Sequence, residues 1–250
     1  MGKIFSLDSP FVQFMNKVAD IMWLNILFVI CCIPVITIGA SITAMYYVTL
    51  KMVRNEEAYI TKSFFKSFRL NFKQATAIWL ILLAAGGLLA IDYAIMSGRM
   101  GVEIGNGTVA TVMQVLLITV SVFYIFTATF VFPVLSKFYN SIKNTVKNAF
   151  IMSIRHFPVT LACIAVMIVV ALLIIYVPIM LMLSIFLLFS LAAYANSFMF
   201  VRVFDSYIPA EEGKDEEDGS GSDTGETVTP VTDEDTEAMK SEVPTGRISE

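Results

Sequence analysis

The chain has 250 residues, 57% of them hydrophobic, a mean hydropathy of +0.75 and a formal net charge of −4. Such a composition excludes a soluble globular domain, whose surface needs far more polar area to stay dispersed. The net charge also averages two opposed regions. Glu211 to Glu250 holds fourteen acids against Lys214, Lys240 and Arg247, a charge of −11, whereas residues 1 to 210 hold fourteen Lys or Arg against seven acids, a charge of +7.

Residues 1–20 read as an amphipathic N-terminal segment with Lys3 and Lys17. Met1 to Ser6 fits the short myristoylation pattern, which is better taken as chance in a chain that already spans the bilayer. The apolar run that follows leads into more apolar sequence and not into a polar mature start, so a secretory signal peptide is not expected.

A bilayer crossing needs about 20 apolar residues. Ile21 to Leu50 is long for one crossing and short for two, and Pro34 and Gly39 bracket its middle. Two short helices with a break at Cys32 to Ala40 are preferred over one tilted span. Ala75 to Met96 and Val109 to Leu135 each read as one span. Val159 to Phe200 is about twice the required length and carries Tyr176-Val177-Pro178, so it reads as two helices joined by a tight turn, because proline ends one helix and can open the next.

The expected fold class is therefore all-α: a polytopic transmembrane bundle of five to six helices over residues 21–204, with two cytoplasmic basic amphipathic loops. Lys51 to Lys73 holds six basic residues, and Ser136 to Pro158 holds four with no acid. Ser97 to Thr108 is glycine-rich, with Arg99 balanced by Glu103. Short cation-rich loops stay on the cytoplasmic side, so these two face inward and so does the C-terminus; the broken first pair would put the N-terminus there too.

Phe64, Phe68 and Phe72 recur every fourth residue beside Lys62, Lys66, Arg69 and Lys73. Phe138, Ile142, Val146, Phe150 and Ile154 do the same beside Lys143 and Lys147, with Arg155 following. These seven cations are the candidate surface for anionic headgroups or for a partner. The same stripes would equally suit cytoplasmic extensions of the spanning helices packed on one another. Sliding the chain by 86 positions also matches Thr43 with Thr129, Val48 with Val134, Lys51 with Lys137, Phe64 with Phe150, Ser67 with Ser153 and Arg69 with Arg155, a faint repeat in one orientation.

Chemistry-bearing residues are scarce. Asp92 is the one acid within the spans from Ala75 onward and sits near the end of its helix beside Tyr93, where a headgroup-level carboxylate costs little; a structural or interfacial role is favoured over cation coupling. Asn25, Gln114 and Asn196 suit hydrogen bonds between helices or a polar path. Cys31, Cys32 and Cys163 lie in apolar runs at no disulfide or zinc spacing, and the lone His156 has no ligand or triad partner. Nucleophile-elbow, HExxH and phosphate-loop patterns do not occur. No metal, cofactor, enzymatic activity or nucleic-acid partner is expected. Residues 205–250 form an acidic tail whose composition cannot offset ordering entropy by burial, so disorder is expected.

The segments Asn16-Lys17-Val18-Ala19-Asp20, Trp23-Leu24-Asn25, Pro34 to Ala40, Tyr46 to Lys51, Ser63 to Phe68 and Phe72-Lys73-Gln74-Ala75 together resemble the YesL-like family of bacterial membrane proteins. The resemblance covers residues 1 to 210, is strongest in the first eighty and omits the acidic tail. It implies a bacterial cytoplasmic membrane and a setting near oligosaccharide ABC uptake systems, with their permease subunits as candidate partners. It assigns no catalytic or ligand residue.

Overall fold

The computed structural model describes residues 10–56, 59–97, 107–207 and 229–230, and almost all of them are helical. Helix α1 (Pro10–Cys32) is separated from α2 (Ile38–Val53) by a 3-10 turn at Val35–Thr37. Pro34 is extended at φ −76° and ψ 119° and lacks the N–H that would continue a helix. The carbonyls freed there are met by Thr37, whose Oγ1 lies 2.6 Å from Cys31 O and 2.7 Å from Pro34 O. The first apolar run is thus two antiparallel helices. No boundary falls at residue 20, as the sequence suggested, because α1 runs through it unbroken from Pro10.

Helix α3 (Ile60–Met96) has 37 residues. At 1.5 Å per residue it is about 55 Å long, against a hydrocarbon core of about 30 Å. Its basic first half is therefore the projecting start of a spanning helix. Helix α4 (Thr108–Lys137) is followed by α5 (Ile142–Arg155) and α6 (Phe157–Tyr176). His156 leaves the helix at φ −107° and ψ 47°. Thr160 Oγ1 sits 2.6 Å from Ser153 O and 3.2 Å from His156 O, bridging the kink. Val177 is extended, Pro178 opens α7 (Pro178–Leu183), and a five-residue π-helical turn at Ser184–Leu188 leads into α8 (Phe189–Asp205).

Six helical stretches among the described residues are long and apolar enough to cross a membrane, counting α7 to α8 as one. The chain is a multi-pass helical membrane protein.

Side-chain links fix which helix ends lie together. Lys17 Nζ donates to Asn55 Oδ1 at 3.1 Å, Trp23 Nε1 donates to Thr61 Oγ1 at 2.8 Å, and Arg54 pairs with Asp205. Gln74 Nε2 reaches Asn140 O at 2.5 Å. The starts of α1, α3 and α5 and the ends of α2, α4 and α8 consequently share one end of the bundle, the cationic one. Backbone pairing of Phe138–Tyr139 with Thr229–Pro230 brings one point of the acidic tail to the same end. The glycine-rich stretch 98–106, residues 1–9 and the rest of the tail lie outside the described residues.

The 86-residue repeat has a structural counterpart. Lys51 and Lys137 occupy the last turns of α2 and α4, and Ser67 and Ser153 are both buried on the amphipathic helices that follow. The two units are α2 with α3 and α4 with α5 and α6. They differ at one point, since the first amphipathic helix runs straight into its span and the second kinks at His156.

Helix α2 lies at the centre, against α3, α4 and α8, and buries eleven of its sixteen residues. Small side chains at Gly39, Ala40, Ser41, Thr43 and Ala44 let neighbouring backbones approach, the usual way spanning helices gain contact in lipid. Thr49 and Ser197 join hydroxyls at 2.8 Å between α2 and α8. Phe200 of α8 meets Tyr46 of α2 and Phe130 of α4 edge-on, at 5.7 and 5.0 Å between ring centres, and Phe204 meets Phe138 at 5.3 Å.

Gly39 marks the closest approach: a Cβ there would sit 2.6 Å from Ala75 O and 2.6 Å from Trp79 Cβ. Because one of those atoms is backbone, Gly39→Ala must push α2 off α3. We expect a loss of about 1–3 kcal/mol, read as a lower melting temperature in detergent, whereas Gly87→Ala, with nothing near its Cβ, should leave it unchanged.

Candidate functional site

The seven cations singled out in the sequence all fall on α3 and α5, at the cationic end. Lys62, Arg69 and Lys73 are exposed on α3, and Lys66 is half-buried; Lys143, Lys147 and Arg155 are exposed on α5. The phenylalanine stripe of α3 does not face lipid as a unit. Phe64 is fully buried in the core, Phe68 stacks on it at 6.1 Å, and Phe72, next along, reaches the surface. On α5 the buried face is Thr145, Ala149, Met152 and Ser153, while Lys143, Lys147, Ile151 and Ile154 point outward. Its outer face carries Lys143 and Lys147, then Ile151 and Ile154, and ends on Arg155, the mix of cations and apolar side chains of a helix at a membrane interface.

At the α5–α6 kink, Arg155 lies over the Tyr207 ring with its guanidinium 5.5 Å from the centroid, and His156 meets the same ring at 5.7 Å. His156 Nε2 and the Tyr207 hydroxyl are both buried with no hydrogen-bond partner among the described residues. Burial, and secondarily the Arg155 charge, hold the His156 pKa below its ordinary 6.5. The fold thus favours neutral His156, and its contribution is complete above the ordinary pKa and declines as pH falls below it. Acidification from about pH 8 to about pH 5 should lower the melting temperature, and His156→Gln should flatten part of that dependence.

Asn25 bridges α1 to the π turn. Fully buried, it donates through Nδ2 to Ser184 O at 2.8 Å and Ile185 O at 2.7 Å, and its Oδ1 accepts from Ser190 N–H at 2.8 Å. A π turn displaces the regular carbonyl ladder, and in lipid the displaced groups have no water to turn to. Of its two sequence readings, the inter-helix bond is the one observed. Asn25→Leu should cost about 1–2 kcal/mol and raise amide hydrogen exchange at residues 184–190; unchanged exchange there would show that Asn25 does not secure the turn.

Asp92 is exposed one turn from the end of α3, and Gln114 is exposed on α4. Neither joins another polar group among the described residues. Asn196, on α8, is 1% exposed, and both its amide atoms lack a hydrogen bond among the described residues. It borders a cavity of about 500 Å³ between α2, α3, α4, α6 and α8. Buried Tyr46, Phe132 and Asn196 line its inner part, and exposed Ile125, Met167 and Ile168 its rim. No lining residue is charged.

Sequence reasoning named Asn196 but missed the aromatic residues around it. Tyr124 Oη donates to Leu82 O at 3.0 Å, and Trp79 Nε1 donates to Val35 O at 2.8 Å, tying the cavity wall to the α1–α2 break. An aromatic ring with one polar atom inside an apolar run is the signal that would have found them. Arg54 with Asp205 was also invisible, because 151 residues separate the partners.

Among the described residues no cluster of His, Cys, Asp or Glu could hold a metal ion.

Residues 21–93, from within α1 to near the end of α3, match a family model described as a protein of unknown function, DUF624. That model is the family of YesL-like membrane proteins, to which the chain is similar over this stretch. No curated protein and no solved structure matches the chain. The matched region holds the first amphipathic unit, the α1–α2 break and Asn25.

Proposed function

We propose that the protein is a non-enzymatic accessory or assembly factor of the bacterial cytoplasmic membrane, acting on a membrane complex. The observation that carries this reading is the separation of its intramembrane polar groups. Asn25 is consumed by the π turn, Asp92 is exposed far from the cavity, and the cavity itself is apolar apart from the ends of a few side chains. A transporter or channel needs polar groups in line across the bilayer, and these do not line up.

Cation-rich short connections favour a cytoplasmic location for the end that carries Lys62, Arg69, Lys73, Lys143, Lys147 and Arg155, which also brings the acidic C-terminal tail inside. These side chains would hold the bundle against anionic headgroups and present a basic face to a partner. The YesL-like setting supports permease subunits of an oligosaccharide ABC importer as that partner.

Affinity capture of the full chain from native membranes should recover permease subunits, and charge reversal of Lys143, Lys147 and Arg155 to Glu should abolish the recovery without loss of the protein from the membrane. Purified protein in proteoliposomes should show no ion or sugar flux above empty vesicles. Flux above that baseline would overturn the accessory reading in favour of transport, and recovery of the chain alone would count against the partner.

A further inference from the structure

Independently of any partner, we propose that the cavity bordered by Asn196 binds an uncharged amphiphile drawn from the bilayer, a flexible apolar chain bearing one hydroxyl or carbonyl that pairs with the Asn196 amide.

Three features of the cavity specify this chemistry. Its volume of about 500 Å³ falls within the roughly 300–1,000 Å³ typical of small-molecule sites. No Lys, Arg, Asp, Glu or His lines it, so an ionic headgroup would enter unpaired. Its rim carries the exposed apolar side chains of Ile125, Met167 and Ile168, which lie within spanning helices and so face acyl chains and not water.

The Asn196 amide supplies the polar requirement. An amide shut away from water without a partner is costly, and native interiors rarely leave one so. Other polar groups of the wall are already engaged: Tyr124 with the Leu82 carbonyl, Trp79 with the Val35 carbonyl and Thr129 with Ile125 O at 2.8 Å. Asn196, with the Tyr46 hydroxyl beside it, keeps both a donor and an acceptor for an incoming group. A plain hydrocarbon chain would fill the space and leave that amide unmet, so the site selects a chain with a hydrogen-bonding end.

The test uses a long-chain fatty alcohol with a photoreactive diazirine near its hydroxyl, added to the full chain in nanodiscs of neutral phospholipid. Mass spectrometry of the irradiated protein should place the label on lining residues such as Tyr46 or Ile168. Unlabelled fatty alcohol should compete at least about tenfold better than an alkane of equal length. Asn196→Leu should erase that preference while the melting temperature in ligand-free detergent holds or rises, because it removes an unpaired amide. Ala171→Trp, which fills the cavity, should abolish labelling.

Equal competition by alcohol and alkane, labelling unaffected by both variants, or a lower melting temperature for Asn196→Leu without ligand would overturn the proposal; the last would make Asn196 a structural bond. Protection of the cavity by a co-purified protein, with no lipid label at any alcohol concentration, would also overturn it, assigning the space to a partner's helix.

Discussion

The burial of one short helix governs this structure. Helix α2 can occupy the centre only because its first half is built from Gly39, Ala40, Ser41, Thr43 and Ala44, whose side chains take little room, and whose hydroxyls bond back within the bundle, Ser41 to Thr37 O and Thr43 to Gly39 O. In lipid there is little hydrophobic gain in bringing two apolar helices together, so contact must come from close packing and from hydrogen bonds. The Pro34 break delivers the chain to that centre, and the Trp79 bond to Val35 O holds the break against α3. Aromatic rings on the second half of α2 and on α8 then close the core around it.

From that centre the two repeated units diverge in use. Both consist of a helix with lysine in its last turn and an amphipathic helix that returns toward the membrane, so both place cations at the same end. The first unit stays one continuous helix, and its Phe64 turns inward to the core. The second kinks at His156, which lets α5 show cations and isoleucines outward on one face. Two units of one pattern thus serve as one wall of the core and one surface-facing helix, and the polar cluster of Arg155, His156 and Tyr207 sits at the point of difference.

Much of the fold was legible in the sequence because bilayer thickness converts hydrophobic length directly into element count. Pro34 and Pro178 gave both helix breaks for a local reason, the missing N–H and the restricted residue before it. The continuity of α3 through Ile60 to Met96 was harder to read, since a helix emerging from lipid into the interface changes composition without changing backbone. The π turn was not legible at all: Ser184 to Leu188 carries no local signature, and the turn is completed by Asn25, 159 residues away. For the candidate site, the residue types were named from sequence, but their roles depended on neighbours from distant helices.

Asn25 and Asn196 show how far residue type underdetermines role. Each is an asparagine buried in a predominantly apolar helix. Asn25 meets a backbone that has been broken, so all the hydrogen-bonding capacity used is matched by groups otherwise left bare, and the arrangement is closed to any ligand. Asn196 lies on the regular part of α8 beside the Tyr46 hydroxyl, no donor or acceptor among the described residues meets its amide in full hydrogen-bond geometry, and it borders the cavity. A helix bundle gains nothing in stability from the second arrangement, since leucine at that position would fill more of the space and bury no unmet polar atom. An amide kept there has its counterpart outside the chain, and the membrane is the solvent from which that counterpart comes.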